Sequence, residues 1–122
     1  MKVCISSTKN DLNASVDPRF GRCQYFLFVD TETMHFEAVG NPAFTSGGGA
    51  GIQAAQLVVN KKAKAVLTGD VGPNAFQALQ AAGVKIVTGI TGPVKEAVEK
   101  FGRGEFEYAG APSVESHSGI RR

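Results

Sequence analysis

A short pattern that occurs twice in the second half of the sequence constrains the fold more than any other feature. The segments 68–73 (TGDVGP) and 88–93 (TGITGP) share the spacing T-G-x-x-G-P and lie 20 residues apart. Each follows a short apolar stretch and precedes a helical pattern, and we expect its proline at the first helical position, where no N–H is needed. Two consecutive strand-turn-helix units are therefore predicted, with parallel strands joined by right-handed crossovers.

The spacing of apolar residues assigns the other elements. Strands are predicted at 2–7, 24–30, 34–40, 65–67 and 84–87, and helices at 52–60, 75–82 and 94–101. The second strand is almost entirely aromatic and apolar, which indicates a central position with both faces covered. In the third, Phe36 and Ala38 alternate with polar residues, which predicts an edge strand with one exposed face. The predicted order is β-β-β-α-β-α-β-α.

The composition is that of one small globular domain without a strong electrostatic signal. The chain has 122 residues, with 13 Lys and Arg against 11 Asp and Glu, and this mild balance does not indicate nucleic-acid binding. Its 2 cysteines are too few for a disulfide framework, and no apolar run approaches the length of a membrane span. The first residues lead into a strand-like segment without a signal-peptide pattern. We therefore expect a cytoplasmic protein with reduced thiols and with neither nucleic acid nor membrane as a partner.

The periodic pattern of apolar residues ends near residue 106. The segment 107–122 mixes Gly, Pro, Ser, Glu and His, a composition that favours a frayed segment. We therefore predict an α/β domain at 1–106, which carries the site, and a flexible polar tail at 107–122.

Several segments are expected to meet at one edge of the sheet. Helices that follow parallel strands begin at the same edge, so their unpaired N–H groups and positive dipole ends point toward one crevice. The tract 46–51 (SGGGAG) leads into the first helix, and the long loop 8–23 carries Arg19 and Arg22. Glycine-lined helix starts with arginines suit a multivalent anion. The alternative is that T-G-x-x-G-P is only an economical turn.

The sequence indicates which anion binds less directly than it indicates an anion-binding site. The glycine tract lacks the Gly-Lys-Ser/Thr ending of a P-loop, which argues against nucleoside triphosphate hydrolysis. Residues 49–54 fit a relaxed dinucleotide motif, but a long loop separates them from an edge strand, whereas that motif follows a central strand by a tight turn. A nucleotide- or phosphate-binding regulatory domain and a scaffolding domain that binds only protein remain alternatives.

Three motifs occur in order along the chain: 19–26 (RFGRCQYF), 47–52 (GGGAGI) with alanines at 54 and 55, and 72–76 (GPNAF). Together they resemble the dinitrogenase iron-molybdenum cofactor biosynthesis family, and the resemblance covers roughly 1–106. The family includes proteins similar to NifX, to the C-terminal part of NifB and to the orange protein. The resemblance implies a ribonuclease-H-like α/β fold, with a mixed sheet of five strands in the order 3-2-1-4-5 and helices on both faces.

The resemblance also implies a function. Members of the family bind or carry iron–sulfur or molybdenum–sulfur clusters, and the orange protein holds a molybdenum–copper sulfide cluster without covalent attachment. We therefore expect this chain to bind and carry an anionic metal–sulfur cluster in metallocluster biosynthesis or storage, with cluster donor and acceptor proteins as partners and no catalytic residues. The residues expected to bind the cluster are Arg19, Phe20, Gly21, Arg22, Gly47, Gly48, Gly49, Gly51, Gly72 and Gly92.

The two cysteines have different expected roles. Cys23 lies beside Arg22, which would favour its thiolate and make it a soft metal ligand, although it could simply begin the second strand. Cys4 lies within a predicted central strand, where a free cysteine packs as a small hydrophobic residue. Many family members have His in place of Arg19 and a small residue in place of Cys23. This departure favours capture of a cluster by positive charge over ligation by histidine.

An enzymatic role has little support in the sequence. The predicted ribonuclease-H-like fold suggests a nuclease, but the first strand contains none of the carboxylates that would hold two metal ions. Asp30 and Asp70 are isolated acids, and no Ser-His-Asp or Cys-His arrangement can be assembled. His35 is expected at the surface because it alternates outward on the predicted edge strand, and His117 because it lies in the polar tail. Neither has the spacing of a metal ligand.

Overall fold

The computed structural model of the protein describes residues 1–44 and 49–113. Its strands are β1 (Lys2–Ser7), β2 (Tyr25–Asp30), β3 (Phe36–Gly40), β4 (Ala65–Leu67) and β5 (Lys85–Val87), and its helices are α1 (Ala50–Asn60), α2 (Pro73–Ala81) and α3 (Val94–Gly102). This confirms the predicted order of elements. The predicted boundaries differ from the observed ones by at most two residues.

The strands form one mixed sheet in the order β3-β2-β1-β4-β5. β2 is antiparallel to both β1 and β3, whereas β4 is parallel to both β1 and β5. The predicted α/β fold with strand order 3-2-1-4-5 is therefore confirmed. Because β1, β3, β4 and β5 run in the same direction, the loops that follow them leave the same edge of the sheet.

Helices cover both faces of the sheet. On one face, α1 and α2 pack against strand residues that include Cys4, Phe26, Phe28, Val66 and Ile86. On the other face, α3 and the loop after β1 pack against the alternate strand residues, which include Val3, Ile5, Leu27, Val29 and Leu67. The alternation follows from the two-residue period of side chains along a strand.

The edge strand β3 is less covered than the sequence pattern predicts. Phe36 is 42% exposed, and Ala38 is exposed as well, although both were expected to face the core. Of the residues of β3, only Val39 packs as a partly buried side chain, and it does so on the opposite face. The prediction of one covered apolar face is wrong, because α3 and the loop after β1 cover the central strands and not this edge.

The two T-G-x-x-G-P segments adopt different backbone conformations. In the first, Gly72 is extended with φ −80°, and Pro73 is the first residue of α2, as predicted. In the second, Gly92 is left-handed with φ 88°, Pro93 is the N-cap, and α3 begins at Val94. The prediction that a proline opens both helices is wrong for α3, because the left-handed glycine extends the turn by one residue.

The chain after α3 packs against the domain as far as the structure describes it. The Ala109 N–H donates to the carbonyl oxygen of Ile86 at 2.7 Å, so the chain contacts the outer edge of β5. The hydroxyl of Ser113 accepts a hydrogen bond from the Val71 N–H at 2.7 Å, one residue before the N-cap of α2. The rest of the predicted tail, 114–122, lies outside the described residues, so its flexibility stays a prediction.

Candidate functional site

The segment 19–22 divides its side chains between the core and the surface. Phe20 is 2% exposed and packs on Phe26 with ring centroids 5.3 Å apart. The side chains of Arg19 and Arg22 are exposed. Phe20 was expected to bind a cargo, but its burial makes any such role indirect. It anchors in the core the turn that presents both arginines.

Three backbone segments meet beside this turn. A Cβ atom on Gly21 would lie 3.1 Å from the Cα and N atoms of Gly51, and a Cβ on Gly51 would lie 3.2 Å from the Cβ of Ala75. Gly51 belongs to the first turn of α1 and Ala75 to the first turn of α2. The absence of side chains on the two glycines therefore allows the starts of both helices to approach the turn. We call Gly21, Gly51, Ala75 and the first turns of α1 and α2 the glycine junction.

The helix starts at the glycine junction have N–H groups without a hydrogen-bond acceptor among residues 1–44 and 49–113. These groups belong to Ala50, Gly51, Ile52, Asn74 and Ala75. Among the described residues, no side chain caps either helix. An uncapped helix start combines free donors with the positive end of the helix dipole. Two such starts in contact can hold an anion. The involvement of Gly49, Gly51 and Gly72 in binding stays a prediction.

The start of α3 is largely closed, because among the described residues only the Glu96 N–H of its first turn has no acceptor. The Val94 N–H donates to the carbonyl oxygen of Ala14 at 2.8 Å, and the Lys95 N–H donates to that of Leu12 at 3.0 Å. The loop between β1 and β2 thus caps α3 with its own carbonyl groups. The expectation that three helix starts share one anion-binding crevice is therefore wrong for α3. Gly92, which was predicted as a binding residue, serves the turn before this capped helix.

Arg19 is held at the site by a buried carboxylate. Asp17, which is 4% exposed, accepts hydrogen bonds from the Nε and Nη2 atoms of Arg19, both at 3.3 Å. These bonds raise the pKa of Arg19, so the guanidinium stays charged, while Asp17 offsets part of its field. The backbone of Arg19 also pairs with Asp70, which follows β4. The turn and its first arginine are therefore fixed to the sheet edge.

Cys23 lies in the core and not at the surface. It is 0% exposed, and its thiol donates to the carbonyl oxygen of Phe20 at an Sγ–O distance of 3.4 Å. Burial raises the pKa of the Cys23 thiol, and the nearby Asp17 raises it further, which outweighs the lowering effect of Arg19. The expectation that arginines favour the thiolate is therefore wrong. The assignment of Cys23 as a metal ligand stays a prediction, and the environment of the thiol disfavours it.

The remaining candidate ligands do not converge. Cys4 is 0% exposed in the core, and burial raises the pKa of its thiol, as expected of a packing residue. His35 is exposed, as predicted. Within the described ranges, no group of three His, Cys, Asp or Glu side chains is arranged to hold a metal ion. Gly47, Gly48 and His117 lie outside the described residues, so their predicted placement stays untested.

Sequence reasoning missed two features of the site. Asn74 supplies an open N–H group, and its place in the G-P-N-A-F motif was a signal that could have identified it. The buried hydroxyls of Ser6 and Thr68 are 2.6 Å apart, and that of Ser6 also donates to the carbonyl oxygen of Asp17 at 2.6 Å. These bonds tie the ends of β1 and β4 to the loop that carries the arginines.

A protein-family model matches most of the chain. Residues 1–104 match the family described as "Dinitrogenase iron-molybdenum cofactor". The chain belongs to this family. The match covers all the described elements of the sheet and the three helices, so family membership applies to the domain that carries the glycine junction.

Two relatives of known structure and one relative found by sequence share most of the domain. The apo form of the orange protein from Desulfovibrio gigas is 44% identical, with a TM-score of 0.87 over 91% of this chain and 94% of that one. A Thermotoga protein of the DUF35 family is 37% identical, with a TM-score of 0.76 over 88% and 91% of the two chains. An uncharacterized protein of Methanocaldococcus jannaschii is 27% identical over 88% of this chain and 90% of its own.

In the part of the chain that is described, no helix has the length and apolarity to cross a bilayer.

Proposed function

We propose that this chain binds and carries a preassembled anionic metal–sulfur cluster, held without covalent attachment, in metallocluster biosynthesis or storage. The observation that carries the proposal is the glycine junction, where two uncapped helix starts lie against a turn with two exposed arginines. A thiometallate or iron–sulfur cluster carries negative charge on several sulfur atoms, so it can accept hydrogen bonds from several of these donors at once. Membership of the dinitrogenase iron-molybdenum cofactor family supports a cargo of this class.

Capture by charge and hydrogen bonds fits the described residues better than ligation. Cys23 is a buried thiol, and the described chain offers no grouped metal ligands. A cluster bound here would therefore keep its own complete set of ligands, as the resemblance to the orange protein implies. The protein would hold and release the cluster without changing it, which is a carrier role and not an enzymatic one. Donor and acceptor proteins, and a cytoplasmic location, are part of this proposal.

A phosphate group is the main competing ligand, because uncapped helix starts also bind phosphate oxygens. The glycine tract has no lysine at the position that holds the phosphates in a P-loop. The tract also follows the exposed edge strand β3, whereas dinucleotide sites follow a central strand. These features favour the cluster over a nucleotide.

Reconstitution of the apoprotein tests the proposal. Apoprotein is incubated with tetrathiomolybdate, with and without Cu(I), or with an iron–sulfur donor protein, and is then desalted. At least one cargo is expected to leave the protein coloured, with a fixed metal stoichiometry. Affinity should fall as salt rises, because charge supplies much of the binding.

Three outcomes would contradict the proposal. A protein that stays colourless and metal-free with every cargo would exclude the carrier function. If displacement of the bound cluster shows that ATP or phosphate binds more tightly than the cluster, the regulatory alternative is favoured instead. Binding that does not depend on salt would indicate direct ligation.

A further inference from the structure

Asn41 connects two loops of the proposed site from a buried position. It follows β3 directly and is 6% exposed. Its Nδ2 atom donates to the carbonyl oxygens of Gly21 at 3.1 Å and Cys23 at 2.8 Å, and its Oδ1 atom accepts from the Ala43 N–H at 2.9 Å. Gly21 and Cys23 are the residues on either side of Arg22. One side chain therefore holds the backbone before and after this arginine.

An amide is the side chain that fits this environment. The two carbonyl oxygens require two N–H donors on one side-chain atom, and the Ala43 N–H requires an acceptor on another. An amide supplies both. Aspartate has the same shape, but it has no donors, and its charge would face two carbonyl oxygens. Both amide protons of Asn41 are used within the protein, so it does not reach a cargo with them. Any contribution of Asn41 to binding is therefore made through the residues that it holds.

The same hydrogen bonds link Arg22 to the glycine junction. Gly21, whose carbonyl group Asn41 holds, is the residue packed on Gly51 at the start of α1. Ala43, which Asn41 also holds, lies in the loop that leads to α1. Asn41 thus connects the arginine turn, through Gly21, to the backbone that packs on the start of α1.

We propose that Asn41 is a positioning residue that fixes Arg22 beside the helix starts; this inference rests on the proposed function. A preorganised arginine loses less conformational entropy when an anion binds than one on a mobile loop. Loss of Asn41 would leave the charge of Arg22 in place but would release its backbone. The effect on binding is therefore expected only while Arg22 is present.

A double-mutant cycle separates positioning from general stability. Tetrathiomolybdate affinity is measured for the wild type, Asn41→Ala, Arg22→Ala and the double variant. Asn41→Ala is expected to weaken binding by about three- to tenfold alone, and by less than about twofold in the Arg22→Ala background. Asn41→Ser, which keeps one donor, is expected to lose less affinity than Asn41→Ala. If Asn41→Ala does not fold, the same double-mutant cycle is measured with Asn41→Ser.

Asp30→Ala is the matched control. Asp30 Oδ1 accepts hydrogen bonds from the Glu32 and Thr33 N–H groups in the β2–β3 connection, at the other end of the sheet. Its loss also releases a turn, but affinity is expected to stay unchanged. An equal loss of affinity from Asn41→Ala with and without Arg22 would overturn the inference, as would no loss at all. A wild type that does not bind would instead refute the proposed function.

Discussion

The starts of α2 and α3 grow out of the same six-residue pattern, but one is open and the other is closed. In α2, the Asn74 N–H has no acceptor among the residues that the structure describes. At the same helical position in α3, the Lys95 N–H is bound to the carbonyl oxygen of Leu12 at 3.0 Å. The difference shows that the local pattern places a helix start to within one residue. Contacts from elsewhere in the chain decide whether that beginning can bind a ligand.

The loop between β1 and β2 produces both situations. Its first part caps α3 through the carbonyl groups of Leu12 and Ala14. Its second part carries Arg19 and Arg22 to the glycine junction, where Asp17 holds the first of them. The hydrogen bonds that cap α3 therefore anchor the same loop that carries the two arginines toward the starts of α1 and α2. The arginine and proline variants perturb the open and the closed helix starts in parallel, and Cys23→Ser tests the mode of binding at the open ones.

The largest effect is expected from removal of both arginines. Arg19→Ala with Arg22→Ala removes two charge-assisted contacts, each worth about 1.5 to 3 kcal/mol, so cluster affinity should fall at least about tenfold. The charge-matched control, Lys95→Ala with Lys100→Ala, removes the same charge from the closed helix and should change affinity less than about twofold. Equilibrium dialysis with metal analysis measures both. Equal binding by the wild type and a folded arginine double variant would remove the proposed pocket.

An intermediate effect is expected from proline at the second helical position of each helix. Proline is tolerated in the first turn, but it has no N–H to donate. Asn74→Pro should therefore weaken cluster binding by about three- to tenfold. It should also cost some stability, because a proline disfavours the helical conformation of the preceding residue, Pro73. Lys95→Pro removes the bond to Leu12, so it should lower the free energy of unfolding by about 1 kcal/mol and leave cluster affinity unchanged. Chemical denaturation and dialysis on the same samples measure the two quantities.

The proline pair can also break the comparison. If Lys95→Pro weakens binding as much as Asn74→Pro, the start of α3 belongs to the site after all. If neither variant alters binding, the open N–H groups of α2 do not contact the cargo.

The smallest effect is expected from Cys23→Ser. The thiol is buried and its pKa is raised, so it should not ligate metal, and affinity should change by less than about twofold. The charge-transfer spectrum of the bound cluster should keep its band positions. Stability should fall, since a polar hydroxyl replaces a core thiol. A shifted spectrum, or loss of both the spectrum and the affinity in a folded variant, would show that Cys23 is a ligand.

The sequence was sufficient to predict the order of strands and helices along the chain, because hydrophobic periodicity and the repeated turn are local signals. The strand order came from the family resemblance, and the sheet pairing confirms it. The interior placement of Phe20 and Cys23 was not predicted, since loop residues carry no periodicity that distinguishes core from surface. The capping of α3 by Leu12 and Ala14 depends on backbone carbonyls of a distant loop, which no residue type reveals. The bonds of Asn41 to the arginine turn are equally non-local.

The central claim is that the cargo sits between the starts of α1 and α2 and is held by N–H groups and arginines. Anomalous diffraction at the molybdenum edge, from crystals of protein loaded with tetrathiomolybdate, locates the metal directly. We expect the molybdenum at the glycine junction, with its sulfur atoms within hydrogen-bond distance of the Gly51 and Asn74 N–H groups and no protein atom bonded to the metal. A molybdenum atom bonded to the Sγ of Cys23, or one located beside the capped start of α3, would contradict this account.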